Sequence, residues 1–329
     1  MVVNDGTELP DDGRDDQTDP APVHTRPEID AASDPEQYFL LHDAAENDSP
    51  EAVTELAQRI NNVDFIDDDD EEYPGRTALW TAVFANRPDN ARALMAAGAD
   101  PWRPMMNDWS PGRLSLAGPT PTLFRVPPGV SGLSPSEIAA VTEARRLIAA
   151  LGDLDYFGLG MACVADITAA EAARRLEAIP ADVEDVVAII EDLMSHLDDS
   201  QTVAGVTDVP GGCVVSQPWG PLPYMTGVTK RLSAGTVCYG MHDNPKGGHY
   251  GTVVRDGVID EGDDHPGGGG VYPDDPTEEI LATYLYNGHA VAYCCARMGL
   301  RLTDARAITG PPDMWVRLPE RDWWNDQAA

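Results

Sequence analysis

The chain has 329 residues, 42% of them hydrophobic, which gives room for two ordinary domains with buried cores. Its 56 acidic residues against 22 basic ones give a formal net charge of −34 at pH 7. Such a charge argues against binding to nucleic acid or anionic membranes, since both are recognised through Lys and Arg. It favours a basic partner, although solubility and an acid-biased proteome are simpler explanations of the charge as a whole.

The N-terminal part is the most acidic. Residues 1–74 hold 23 acids and 3 bases. Residues 1–35 are rich in Asp and Pro and nearly free of large apolar groups, so the sequence predicts a disordered acidic leader. It shows no basic region followed by an apolar stretch and no run of about 18 apolar residues, so we expect neither a signal peptide nor a membrane span. Five cysteines without CxxC spacing favour a cytoplasmic location.

A repeated unit follows the leader. The segment Gly75–Pro101 reads as two short helices behind a turn. A shift of 38 residues places its Leu-Trp-Thr-Ala core on Leu41-His42-Asp43-Ala44, and a forward shift places Gly75-Arg76-Thr77 on Gly112-Arg113-Leu114. The third unit is degenerate and carries an insertion at about 117–133.

Residues 36–152 resemble the ankyrin repeat. The segment Gly75-Arg-Thr-Ala-Leu-Trp-Thr-Ala82 and the closing Gly98-Ala99-Asp100 carry this resemblance. It implies a short all-α array whose helix pairs stack on one another. Such an array would bind a protein through its concave face and its projecting finger loops. At the position of His42 the family often has a structural histidine.

Two finger loops are candidate partner-binding sites. The first holds six consecutive carboxylates and a tyrosine: Asp67, Asp68, Asp69, Asp70, Glu71, Glu72 and Tyr73. It fits a basic partner, although such charge runs are often only solvated loops. The second holds Trp102, Met105, Met106 and Trp109, which would form either a binding hot spot or packing against the second half.

From residue 153 to 329 the pattern indicates an α+β domain with a mainly antiparallel sheet. Thr168 to Glu171 is a capping box, and apolar residues at 183, 186, 187, 190, 194 and 197 predict an amphipathic helix. Strand-like runs cover 212–219, 232–242, 248–257 and 258–262, with Asp256-Gly257 as a hairpin turn. Further helices are expected after Pro276 and around 288–298. The fold class is therefore multidomain.

The second half is also similar to an uncharacterised family common in actinobacterial proteins. The motifs that carry this similarity are Trp219-Gly220 and Leu232-Ser233-Ala234-Gly235-Thr236. The similarity bears on the fold and implies no activity.

No pattern of catalytic residues stands out. Cys238 and His242 lie about 13 Å apart along one predicted strand. The histidines and aspartates between 242 and 265 lack HExxH-like spacing, and Gly267–Gly270 lacks the P-loop ending. The sequence therefore predicts no catalytic residue, no metal site and no cofactor.

The leading hypothesis is a bacterial interaction protein that binds a basic protein, one version being an inhibitor or immunity-type protein. The alternative is an enzyme or small-ligand protein whose pocket lies near Trp219, Tyr224, His242 and His249 in the second half. A purely structural role in a larger assembly is a third possibility.

Overall fold

The computed structural model describes residues 35–66, 75–154 and 157–325. Helices make up the first part of this region. They are α1 (Pro35–Asn47), α2 (Pro50–Ala57), α3 (Ala78–Phe84), α4 (Pro88–Ala96), α5 (Pro111–Ala117) and α6 (Pro135–Leu151).

Side-chain caps followed by proline define where several of these helices begin. A serine hydroxyl accepts a backbone N–H of the first turn and the next residue is proline, which has no N–H to lose at that position. This holds at Ser49-Pro50, Ser110-Pro111 and Ser134-Pro135. At α6 the Glu137 carboxylate also accepts the Ser134 N–H, which completes a capping box.

The first four helices form two hairpins that stack side by side. Helix α1 packs on α3 and α2 packs on α4, while α3 also packs on α5. Buried polar contacts fix this stacking: His42 Nδ1 lies 3.1 Å from Thr81 Oγ1, and Asn90 Nδ2 donates to carbonyls at the end of α1. The stacking is what a helical repeat requires. The ankyrin resemblance itself stays a prediction.

The second part contains an eight-stranded sheet with its helices. In chain order the elements are β1 (Gly160–Ala165), α7 (Ala169–Arg175), β2 (Ile179–Pro180), α8 (Val183–Glu191), α9 (Leu197–Ser200), β3 (Val203–Val209), β4 (Gly212–Gln217), α10 (Thr226–Leu232), β5 (Val237–Asn244), β6 (Gly248–Arg255), β7 (Val258–Asp263), α11 (Thr277–Leu285), α12 (Ala290–Arg297), α13 (Arg306–Thr309) and β8 (Met314–Arg317).

The sheet order is β2-β8-β3-β4-β1-β5-β6-β7, and all its strand pairs are antiparallel. The expectation of an α+β part with an antiparallel sheet is confirmed. The hairpin at Asp256-Gly257 joins β6 to β7, with positive φ at both residues. The predicted strand over 232–242 is wrong at its start: Thr226–Leu232 is helix α10, and the chain turns at Gly235 before β5 begins.

Apolar side chains cover both faces of the sheet. On one face α6, α12 and α13 pack on residues that include Met161 and Val214. On the other face α7 and α10 pack on residues that include Val164 and Val215. Helix α8 lies beside this structure and buries Val186 and Ile189 against Val203.

The helical part and the sheet part share two helices. Ile280, Leu281 and Tyr284 of α11 lie in the core formed by α1 to α5. Conversely, Ala144 and Leu147 of α6 lie in the core under the sheet. Helix α11 therefore covers the open end of the helical stack. The division into two domains at residues 152 and 153 stays a prediction.

Candidate functional site

The first finger loop, Asp67 to Tyr73, lies outside the described residues. Its described flank is tied to the neighbouring unit. The Asp64 carboxylate accepts the N–H of Asp100 at 2.9 Å, and Arg103 Nη1 donates to the Asp64 carbonyl at 2.6 Å. The Phe65 ring packs on Tyr38 with 4.2 Å between ring centroids.

The second finger packs inward. Met106 and Trp109 are fully buried, and Trp109 Nε1 donates to the Thr277 carbonyl at 3.2 Å. The Arg113 guanidinium lies 4.3 Å from the Trp109 ring centroid. Met106 and Trp109 therefore present no surface to a partner, because they hold the finger against the start of α11.

The other two residues of this finger, Trp102 and Met105, are half-buried. The Trp102 ring lies against Gly112, where an added Cβ would come within 2.9 Å of it. A small exposed part of the second finger thus remains for contact with a partner.

Of the four residues proposed for a pocket in the second half, Tyr224 and His242 come together. Their ring centroids are 6.3 Å apart, and Trp324 packs edge-on against Tyr224 at 6.1 Å. His242 Nδ1 lies 3.3 Å from the Leu159 carbonyl oxygen. Burial lowers the pKa of the His242 imidazole below its ordinary value, because a half-buried site disfavours the charged ring.

The remaining two pocket residues lie elsewhere. Trp219 stacks on Trp315 at 6.0 Å, and its Nε1 donates to the Ser200 carbonyl. His249 is paired in register with Asp243, so its side chain lies on the face of the sheet opposite to His242. The predicted convergence of the four side chains is therefore wrong.

His249 makes a local contact with a buried acid. Its Nδ1 lies 2.8 Å from Asp243 Oδ1, and Asp243 Oδ2 accepts the Gly158 N–H at 3.0 Å. Among residues 35–66, 75–154 and 157–325, no group of three or more His, Cys, Asp or Glu side chains is arranged to hold a metal ion.

The cysteine thiols are poor candidates for nucleophiles. All five are buried, and burial raises the pKa of the Cys213 thiol to about 12 and that of Cys238 well above its ordinary value. A thiol with a raised pKa carries little of the reactive thiolate near neutral pH. Cys163 and Cys295 are neighbours, with 3.6 Å between their sulfur atoms.

A cavity of ≈ 440 Å³ lies between α6 and α11. Its lining includes the apolar side chains of Leu147 and Leu281 and the charged residues Glu137, Glu143, Glu278 and Arg301. Two of these carboxylates are paired with other arginines. Glu137 lies 2.7 Å from Arg113, and Glu143 pairs with Arg146 at 2.8 Å. The chemistry of the cavity therefore indicates no particular ligand.

Most arginine side chains among the described residues contact other groups of the same chain. Most arginines pair with carboxylates of the same chain or donate to backbone carbonyls. The paired ones are Arg59, Arg92, Arg113, Arg146, Arg174, Arg175, Arg231, Arg255, Arg297, Arg306, Arg317 and Arg321. Those on carbonyls are Arg76, Arg87, Arg103 and Arg145. Because bases are so few, the acid surplus of the chain remains without internal compensation.

One helix presents apolar side chains to solvent. Val183, Val187 and Ile190 of α8 are 63%, 45% and 58% exposed, and Met194 just beyond the helix is 76% exposed. The sequence pattern at 183, 186, 187, 190, 194 and 197 predicts one buried stripe, but the structure buries Val186 alone of these six. The sequence does signal the acidic surroundings of this helix, because no Lys or Arg occurs between Arg175 and Lys230.

Comparison of the chain with protein-family models, with curated proteins and with solved structures finds no match. Across the part of the chain that the structure describes, every helix is too short or too polar to cross a bilayer.

Proposed function

We propose that this chain is a non-enzymatic protein-interaction protein that binds a basic protein partner. The observation that carries the proposal is the net charge of −34 together with the use of most described arginines inside the chain. An uncompensated negative field attracts basic surfaces and speeds their association.

The stacked helix pairs support the same proposal. Helical stacks with an open face are widely used as binding surfaces, and the ankyrin resemblance of residues 36–152 belongs to this proposal. One form of the proposed function is an inhibitor or immunity-type protein that masks a basic, nucleic-acid-binding surface. We place it in the cytoplasm, where five buried thiols without a disulfide would stay reduced.

The separation of His249 from Tyr224 and His242 removes the support for a ligand pocket formed by the four residues proposed from the sequence. We therefore propose no second function.

Affinity capture from the native lysate tests the proposal. The intact chain is compared with a variant in which residues 67–72 are changed to Ser and Asn. A matched control neutralises six carboxylates of the leader, namely Asp5, Asp11, Asp12, Asp15, Asp16 and Asp19.

We expect a basic protein on the intact chain and on the control, released as ionic strength rises because salt screens exposed charges. Its loss from the 67–72 variant would assign binding to the first finger. Its retention there would move the site to another surface of the chain. The absence of any basic partner from all three forms would contradict the proposed function.

A further inference from the structure

The α8 helix carries two different apolar faces. Val186 and Ile189 are buried against Val203, and this small cluster attaches the helix to the sheet. Val183, Val187 and Ile190 follow the spacing i, i+4, i+7, which places them within about 60° of one another around the helix. They face solvent, as does Met194. We call these four residues the α8 face.

An exposed, contiguous apolar surface of this kind usually marks a site of contact with another molecule. Leaving such a surface in water is unfavourable, because removing apolar side chains from water lowers the free energy. Attaching α8 to the sheet requires only its buried apolar side chains and does not require a second apolar stripe on the exposed side of the helix. Packing among the residues that the structure describes therefore does not explain the α8 face.

Carboxylates border the α8 face. Glu184 and Glu191 are seven residues apart and lie about 80–100° around the helix from Val183, so both flank the same side of the stripe. Asp182 and Asp192 stand at the two ends of the helix. All four are exposed.

The arginine that contacts α8 is already engaged by two carboxylates. Arg317 of strand β8 lies 3.7 Å from Asp185 and 3.5 Å from Asp199, and both distances join its guanidinium to a carboxylate oxygen. No Lys or Arg occurs in the sequence from residue 176 to 229. The border of the α8 face therefore keeps its negative charge.

We propose that the α8 face docks an amphipathic, basic helix of a protein partner. An apolar stripe with carboxylates along its flank pairs with a helix that carries apolar side chains at i, i+3, i+4 and i+7 and Lys or Arg beside them. This is the arrangement by which flanking charges select partners in paired helices. The inference rests on the proposed function in one respect, which is that the partner is basic.

Charge complementarity argues against the other occupants. A second copy of this chain would bring two carboxylate borders together, which is repulsive. The N-terminal leader has ten acids and two arginines in residues 1–34, so it would be repelled by the same border.

A fluorescent peptide tests the proposal directly. The probe is a synthetic 18-residue Leu/Lys helix with Leu at i, i+3, i+4 and i+7, and the control probe has Glu in place of every Lys. Fluorescence anisotropy is measured with the full chain, with Val187→Ser/Ile190→Ser, and with Glu184→Gln/Glu191→Gln. A matched control, Val258→Ser/Ile259→Ser, removes two exposed apolar residues of β7.

We expect the intact chain and the β7 control to bind the Leu/Lys peptide and to ignore the Leu/Glu peptide. The Val187→Ser/Ile190→Ser variant should bind at least about ten-fold more weakly, since each lost apolar side chain removes on the order of a kilocalorie of burial. In the Glu184→Gln/Glu191→Gln variant, the affinity for the Leu/Lys peptide should depend much less on salt concentration than in the intact chain. The substituted side chains are exposed, so all variants should melt within a few degrees of the intact chain.

Three results would overturn the proposal. One is equal affinity of the Leu/Lys peptide for the intact chain and for the Val187→Ser/Ile190→Ser variant. If a basic protein is still captured from the lysate in that case, the proposed function stands and only the assignment of binding to the α8 face is wrong. Another is a dimer of the intact chain that the same variant converts to monomer, which assigns the face to a second copy. The last is a set of nuclear Overhauser contacts from the side-chain methyl groups of Val187 and Ile190 to the N-terminal leader in the monomeric chain without peptide, which assigns the face to a segment of this chain.

Discussion

Replacing Trp109 by Ala should destabilise the chain strongly, because this residue joins the second finger to α11. Its side chain is fully buried and its indole N–H donates to the Thr277 carbonyl. Truncating a buried Trp to Ala costs about 3–5 kcal/mol through lost transfer free energy and the cavity left behind. The lost hydrogen bond contributes about 1 kcal/mol of that sum. A domain is commonly stable by only about 5–15 kcal/mol.

The assay is urea unfolding followed by far-UV circular dichroism and by tryptophan fluorescence. The matched control is Trp324→Ala. Because Trp324 is exposed, this substitution should lower the free energy of unfolding by less than about 1 kcal/mol. A third variant, Trp109→Phe, keeps most of the apolar volume but removes the N–H donor, so it should fall between the two. A loss below about 1 kcal/mol for Trp109→Ala would mean that the second finger does not pack on α11.

Three further predictions concern buried and titrating groups. Asn90→Ala should lower the free energy of unfolding by about 1–3 kcal/mol in urea melts, because the carbonyls of α1 that Asn90 Nδ2 bonds would lose a buried donor. The native chain should react slowly with a thiol reagent, and all five cysteines should react only in denaturant, since every thiol is buried. Fast reaction of the native chain would contradict this prediction. Hydrogen bonds from Arg174 and Arg175 lower the pKa of Glu171 from 4.5 to about 2. The folded-state pKa is depressed, so the stability that Glu171 contributes is present above about pH 4.5 and lost as pH falls towards 2. Thermal melts of Glu171→Gln should show a weaker pH dependence in that window than the intact chain; identical profiles would count against the prediction.

Local patterns in the sequence predict much of the fold. The N-cap at Thr168, the hairpin at Asp256-Gly257 and strands β4, β6 and β7 all follow from short-range signals. The second half of the predicted capping box is wrong, because the Glu171 carboxylate accepts from Arg174 and Arg175 and not from the Thr168 N–H. Such signals need only a few neighbouring residues, because capping and tight turns are set by backbone groups within one turn of the chain.

Long-range packing is what the sequence patterns miss. Nothing near Trp109 in the sequence indicates that its partner is Thr277, 168 residues away. Strands β1 and β3 are buried in the middle of the sheet and lack the apolar-polar alternation that identifies a half-exposed strand. Alternation also fixes only which residues share a face, so the separation of His242 from His249 depends on the pairing register of β5 and β6.

Helix α8 shows the same limit at the candidate site. Its apolar residues fit two overlapping helical stripes, and periodicity alone does not tell which stripe faces the sheet. The structure places Val186 and Ile189 inward and leaves Val183, Val187 and Ile190 in solvent. The acidic border could be read from the sequence, whereas the exposure of the stripe could not.

The most direct test of the account is zero-length cross-linking of carboxylates to lysines in the complex captured from the native lysate, followed by peptide mass mapping. We expect lysines of a basic partner to be joined to carboxylates of this chain, with links in residues 182–199 if the α8 face is the docking site. A captured partner that is not basic, or a complex that survives 1 M salt unchanged and forms no carboxylate–lysine links, would contradict it.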